Sequence, residues 1–141
     1  VGSGGVSGGA LSLLFVDLDG FKAVNDRHGH GAGDLVLRAL AARLVASLRA
    51  RDKAFRFGGD EFVILLDPSV REPDPAAVVE RVRAMLHLPV VVAGATVCSL
   101  TVSIGAACWP QDGNTLAALV EAADRRMYAD KARRSRRALR A

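Results

Sequence analysis

Aromatic side chains are scarce: Phe, Trp and Tyr together make up 5% of the chain, with one Trp and one Tyr. A surface that stacks on bases needs such rings, so a nucleic-acid-binding role gains little support. Cysteine is nearly absent too. Cys98 and Cys108 are the only two, and their spacing suits no metal. Neither a disulfide scaffold nor a zinc site is expected, and a reducing cytoplasm fits. Cys98 falls in an apolar alternation and reads as a buried thiol. No apolar run approaches the ~20 residues of a membrane span, and no signal peptide is visible. This segment is expected to make no membrane contact, although a longer parent protein could be membrane-attached.

What the chain does have is apolar material. Half of its 141 residues are hydrophobic, enough for one domain with a sizeable core. Lys and Arg number 19 against 15 Asp and Glu, a net charge of +4. Much of the excess lies in Arg133, Arg134, Arg136, Arg137 and Arg140. Such a run reads first as a solvated helix end, and second as a patch for phosphates or an anionic surface. Val1–Ala10 is half glycine. It reads as a linker or cloning remnant, which leaves residues 11–141 for the domain.

Leu11–Leu18 is a nearly continuous apolar run of strand length, hence a central strand. Asp17 and Asp19 stand at its end and, two apart, point to the same side. Gly20–His28 suits a short helix, broken at Gly29–Gly33. A long helix follows from Gly31 or Asp34 to Arg49, with Leu37, Leu40, Leu44 and Leu48 on its apolar stripe. Ala54–Phe57 and Phe62–Leu66 flank Gly58-Gly59. That pattern predicts a tight two-residue hairpin with positive φ at both glycines. After a loop over Asp67–Asp74, Pro75–His87 is amphipathic. Val90–Ala93 and Thr96–Ala107 read as strands joined at Gly94. In the second, Cys98, Leu100, Val102 and Ile104 face in, and Ser99, Thr101 and Ser103 face out. Asn114 is the expected N-cap of a last helix through Met127, with Tyr128 in the core. The order β-α-α-β-β-α-β-β-α argues for an α+β domain, with a mainly antiparallel sheet flanked by helices.

Two acid pairs carry the chemical signal, Asp17/Asp19 and Asp60/Glu61. If their strands are neighbours, the carboxylates converge at one sheet edge and raise one another's pKa. A divalent cation relieves that repulsion, and magnesium prefers such oxygens. A cation pair there could activate a hydroxyl and stabilise charge in an in-line displacement at phosphorus. The alternative is a set of exposed strand-end acids. Lys22 could counter phosphate charge. Asn25 can both donate and accept, as a purine edge requires, and Asp34 could accept from the N1–H and exocyclic amine of guanine. Singly, each reads first as a surface or capping residue and only second as a ligand.

Phe15-Val16-Asp17-Leu18-Asp19-Gly20-Phe21-Lys22-Ala23-Val24-Asn25-Asp26, Gly29-His30, Gly33-Asp34 and Arg56-Phe57-Gly58-Gly59-Asp60-Glu61-Phe62 stand in that order. So do Thr101-Val102-Ser103-Ile104-Gly105 and Ala123-Asp124, Tyr128 and Lys131. Together they resemble the GGDEF domain of bacterial diguanylate cyclases, over about Leu11 to Lys131. The resemblance implies a palm-like α+β sheet shared with nucleotide cyclases and polymerases. It also implies condensation of two GTP molecules to cyclic di-GMP with release of pyrophosphate. Two domains, each holding one GTP, would face each other as a homodimer.

By the same resemblance, Asp17 and Asp60 would ligate magnesium through carboxylates and Leu18 through its carbonyl. Two ions per GTP site are expected, with manganese an alternative. Glu61 or Asp60 would deprotonate or orient the 3′-hydroxyl. Gly58 and Gly59 would admit the triphosphate. Asn25, His30 and Asp34 would surround guanine and ribose, although His30 also reads as a packed turn residue. Lys22 and Lys131 would meet phosphates. Arg49-Ala50-Arg51-Asp52, five residues before Gly58, resembles the family's RxxD inhibitory site for cyclic di-GMP, and Arg81 its added arginine. Without the family, that stretch is a charged helix C-terminus.

The chain also departs from the pattern. A Gly-rich stretch stands where members carry a helix and an Asp-x-Leu-Thr-Gly-Leu-x-Asn-Arg segment. Arg134-Ser135-Arg136 replaces Gly-Arg-Asn, which leaves Arg134 or Arg136 to substitute for a phosphate-contacting arginine. The family's last strand is not evident in Ser135–Ala141. A non-catalytic receptor for GTP or cyclic di-GMP is therefore the alternative function.

Overall fold

A computed structural model describes residues 11–67, 75–92, 94 and 96–140. The linker expected at Val1–Ala10 and most of the loop expected before Pro75 lie outside the described residues. β1 (Ser12–Leu18) is buried along its whole length. A strand that apolar can sit only where both sheet faces are covered. It lies between β3 (Glu61–Leu66) and β6 (Val102–Cys108), with β2 (Lys53–Arg56) beyond β3, and all three pairings are antiparallel. β4 (Val90–Val92) and β5 (Thr96–Cys98) form a separate hairpin, turning at Gly94 with φ 78°.

Strand alternation divides the core in two. Leu14, Val16, Ile64, Val102 and Ile104 face one layer of helices. These are α1 (Phe21–His28), α2 (His30–Ser47) and α3 (Pro75–His87), which contribute Val24, Val36, Leu40, Leu44, Val82 and Leu86. Leu13, Phe15, Val63 and Ala107 face the other side, against Leu119, Ala123 and Met127 of α4 (Leu116–Arg140). The order of elements and the antiparallel sheet agree with the α+β expectation, except that the strand expected over Thr96–Ala107 is split at Ser99–Thr101 into β5 and β6.

Gly105 sets the spacing of the second layer. A Cβ there would fall 2.0 Å from the Ala123 carbonyl and 2.3 Å from the Met127 amide. Only glycine lets α4 lie this close to β6.

Several local expectations are corrected. The hairpin between β2 and β3 is not a two-residue turn. Phe57 N donates to Glu61 O at 2.8 Å, so Gly58, Gly59 and Asp60 form the connection. Among the described residues, the glycines with positive φ are Gly20, Gly29 and Gly94 instead. Ser103 points away from Val102 and Ile104 as expected, yet is fully buried, because α4 covers that face. Tyr128 is 60% exposed and not core. Cys98 is only half-buried. Thr115, not Asn114, caps α4: its hydroxyl accepts from Ala118 N at 3.1 Å. α2 ends at Ser47, so Arg49 to Asp52 form a turn beyond the helix.

Candidate functional site

The ends of β1 and the β2–β3 hairpin meet at one edge of the sheet. Asp17 and Glu61 are direct cross-strand partners, and opposed residues share a face. One step further, Leu18 N donates to Asp60 O at 3.0 Å. The strand pairing thus brings Asp17, Leu18, Asp60 and Glu61 to one sheet edge; of the two acid pairs expected to converge there, Asp19 bonds instead to Thr101 and Ser103.

The shared face is the one that α4 covers, and Lys131 reaches it from the helix. Its ammonium stands 2.6 Å from Asp17 Oδ2. The Asp17 hydrogen bond raises the Lys131 pKa; burial opposes this, and the Asp17, Asp19 and Asp60 charges add to it. Lys131 is therefore a cation, and it offsets an Asp17 that is 6% exposed. The Glu61 carboxyl is raised, first by burial and then by the charges of Asp17, Asp60 and Asp124, with Lys131 opposing. Asp124 is thus an acid of the site that the residue reading passed over. Its spacing of seven from Lys131 on one helix was the available signal.

The hairpin tip is held from within. Arg56 donates to the Gly58 carbonyl at 3.2 Å and to the Gly59 carbonyl at 2.8 Å. A Cβ on Gly58 would sit 2.4 Å from Glu61 Oε1, whereas Gly59 has nothing within 4 Å and is open to approach.

Two clefts flank this edge. One, of about 400 Å³, is lined by Phe21, Asn25, Gly31, Asp34, Arg56 and Gly59 among others. Asn25 Oδ1 is buried there and has no hydrogen-bond partner among the described residues. It packs against Gly33, where a Cβ would fall 1.7 Å from it. Asp34 is exposed beside Arg38, at 3.7 Å. Donor, acceptor and carboxylate thus line a space of nucleobase size.

The second cleft, of about 600 Å³, is lined by Asp19, Gly20, Thr101, Lys131, Arg134 and Arg137 among others. Asp19 is held from the β6 side: Thr101 and Ser103 donate to it at 3.0 and 2.8 Å. Arg134 Nε lies 3.9 Å from Asp19, is buried, and makes no hydrogen bond among the described residues. Three cations on one wall suit an anion.

Other expected residues are placed differently. Lys22 is exposed on the first turn of α1, outside the lining of both clefts. His30 opens α2, but its side chain lies outside the described set. Asp52 clasps its own loop, accepting from Arg49 N at 3.0 Å and from Asp67 N at 2.9 Å. Arg49 is exposed in that turn and Arg81 is exposed on α3.

Among the described residues, no three His, Cys, Asp or Glu side chains form a ready-made metal cage. The donor set still fits magnesium, which takes one or two carboxylates and completes its shell with water and substrate phosphates. A cation already pairs with Asp17 in the form of Lys131.

The family model described as "Diguanylate cyclase, GGDEF domain" matches residues 6–137. The diguanylate cyclase TpbB of Pseudomonas aeruginosa is 41% identical over 129 residues, covering 90% of this chain and 30% of that protein. This chain therefore corresponds to less than a third of that relative. Among solved structures, the GGDEF domain of YfiN, or TpbB, from P. aeruginosa superposes with a TM-score of 0.85 at 37% identity, covering 93% of this chain and 81% of that one. The GGDEF domain of DgcB from Caulobacter crescentus, solved in complex with c-di-GMP, gives 0.77 at 28% identity, covering 92% and 77%. No helix among the described residues is long and apolar enough to cross a membrane.

Proposed function

The chain belongs to the GGDEF diguanylate cyclase domain family, and on that premise we propose that it condenses two GTP molecules into cyclic di-GMP. The observation that carries this reading is the Asp17–Glu61 cross-strand pair under Lys131, set between a base-sized cleft and a cationic one. Such a layout matches a nucleotide lying across the sheet edge, with its α-phosphate over the acids.

Asp17 and Asp60, with the Leu18 carbonyl, would hold magnesium, which when bound neutralises phosphate charge and favours the 3′-alkoxide. Glu61 takes the 3′-hydroxyl proton or orients that hydroxyl; its raised pKa suits proton acceptance. Lys131 exchanges its bond to Asp17 for the triphosphate. Arg134, rather than Arg136, supplies the second phosphate cation, because Arg134 lines the cationic cleft and Arg136 does not. Asn25 and Asp34 read the guanine, with His30 beside the ribose, and Gly58 and Gly59 let the backbone approach the phosphates. Lys22 meets phosphate only from its exposed side of α1. One chain binds one GTP, so a second copy must face it to supply the attacking hydroxyl. Arg49, Asp52 and Arg81 form the product-inhibition site in this reading, and the reaction takes place in the cytoplasm.

The test is to assay GTP turnover with magnesium for the wild type, Asp60→Ala and Glu61→Ala, with calorimetry of GTP binding alongside. Cyclic di-GMP from the wild type and none from either variant is the expected result. Nucleotide binding with no product from the wild type would assign the chain to the receptor class instead.

A further inference from the structure

β6 is an edge strand among the described residues, since it pairs only with β1. The outward-facing backbone groups of such an edge need partners. Here charged side chains supply them. Arg83, on α3, donates to Val102 O at 2.8 Å. Asp130, on α4, accepts from Ile104 N at 2.9 Å. Arg126, also on α4, donates to Ala106 O at 2.7 Å. These alternate residues receive from side chains what a further strand would have given. Arg83 and Asp130 are also bonded to each other, at 3.1 Å, and Asp130 is 3% exposed.

A buried carboxylate with this set of partners costs desolvation, and its hydrogen bonds recover that only in good geometry. The pair therefore defines a narrow range of positions for α4 against β6 and α3. Asp130 immediately precedes Lys131. We propose that the Arg83–Asp130 pair is a positioning device for Lys131, fixing the register of α4 on the sheet edge so that the ammonium stands over Asp17. Asp130 and Arg83 touch neither cleft, and they act through Lys131. The inference rests on the phosphate role given to Lys131 above.

The test is a double-mutant cycle on GTP affinity by calorimetry and on kcat and KM for product formation. The variants are Lys131→Ala, Asp130→Ala and the two combined. Misplacing a charged group by about 1 Å costs on the order of a hundredfold in favourable cases. Asp130→Ala is expected to lower affinity or kcat/KM by at least about tenfold on that scale. The double variant is expected to be no worse than Lys131→Ala alone, because both changes remove the same contact. Asp130→Asn keeps an acceptor for Ile104 N and is expected to recover part of the loss; it also serves if the alanine variant does not fold. Arg83→Gln is the corresponding probe from α3. Losses that multiply in the double variant would show a merely structural role and overturn the proposal. An unaltered Lys131→Ala variant would remove the role of Lys131 and the proposal with it. That result differs from a Lys131→Ala loss that Asp130→Ala compounds in full, which would leave the role of Lys131 standing.

Discussion

At the scale of single residues, the site is a balance of charge at one sheet edge. Asp17 tolerates burial because Lys131 stands 2.6 Å away, and the pKa of the Glu61 carboxyl is raised by burial first and then by the acids around it. Gly58, in the turn beside Glu61, has a steric reason to be there. Gly58→Ala drives a methyl to within 2.4 Å of Glu61 Oε1. We expect it to cut cyclic di-GMP formation by at least about tenfold, in line with small displacements of a reacting group. A melting temperature near that of the wild type would locate the fault in the site. Arg134→Ala is expected to weaken GTP binding measured by calorimetry, whereas Arg136→Ala, on the exposed side of α4, is expected to leave it within about twofold. Much of this site was legible in the sequence. Asp17, Asp60 and Glu61 converge because neighbouring antiparallel strands must bring them together. The choice between Arg134 and Arg136 and the hold of Thr101 and Ser103 on Asp19 were not legible. The first depends on how α4 is rotated against β6 and the second on the register of β1 against β6, and no local pattern encodes either.

At the scale of elements, α4 decides most of what the strands leave open. It covers one face of the sheet, caps the edge of β6 and delivers Lys131. Its close seat depends on Gly105. Gly105→Ala places a methyl 2.0 Å from a helix carbonyl, an atom with no side-chain freedom to retreat. The variant is expected to lose about 1–3 kcal/mol of stability in urea melts, as overpacked cores do, and turnover with it. The middle of α4 is fastened by Asp112, which accepts from Arg126 at 2.9 Å and from Cys108 N at 2.8 Å. The Arg126 hydrogen bond, then that of Cys108, lowers its pKa from 3.8 to about 2. A folded-state value below the unfolded one means this contribution is complete above about pH 4 and disappears as pH falls toward about 2. Thermal melts should show the wild type ahead of Asp112→Asn near pH 6 and the gap closing on acidification. A gap constant down to pH 2 would contradict that account of Asp112. Element types were readable from periodicity. The breaks were not: the division of β5 from β6 follows from β5 pairing with β4 instead of extending the main sheet.

At the scale of the whole molecule, one α+β unit presents a base-sized cleft, an acidic strand end and a cationic cleft side by side on a single edge. The α+β class was legible from the order of elements, because one hairpin and few crossovers leave little besides an antiparallel sheet with helices packed on it. A unit with one such edge has half of what a two-nucleotide condensation needs. If the chain runs the proposed reaction, its activity is expected to depend on encounter between copies, with product formed per chain rising as concentration rises. The most direct measurement is chromatography of the nucleotides after the chain is incubated with GTP and magnesium across a range of protein concentrations. One cyclic di-GMP for every two GTP consumed, with a yield per chain that climbs with concentration, is the expected result; intact GTP at every concentration, from a protein that calorimetry shows to be saturated with nucleotide, would contradict it.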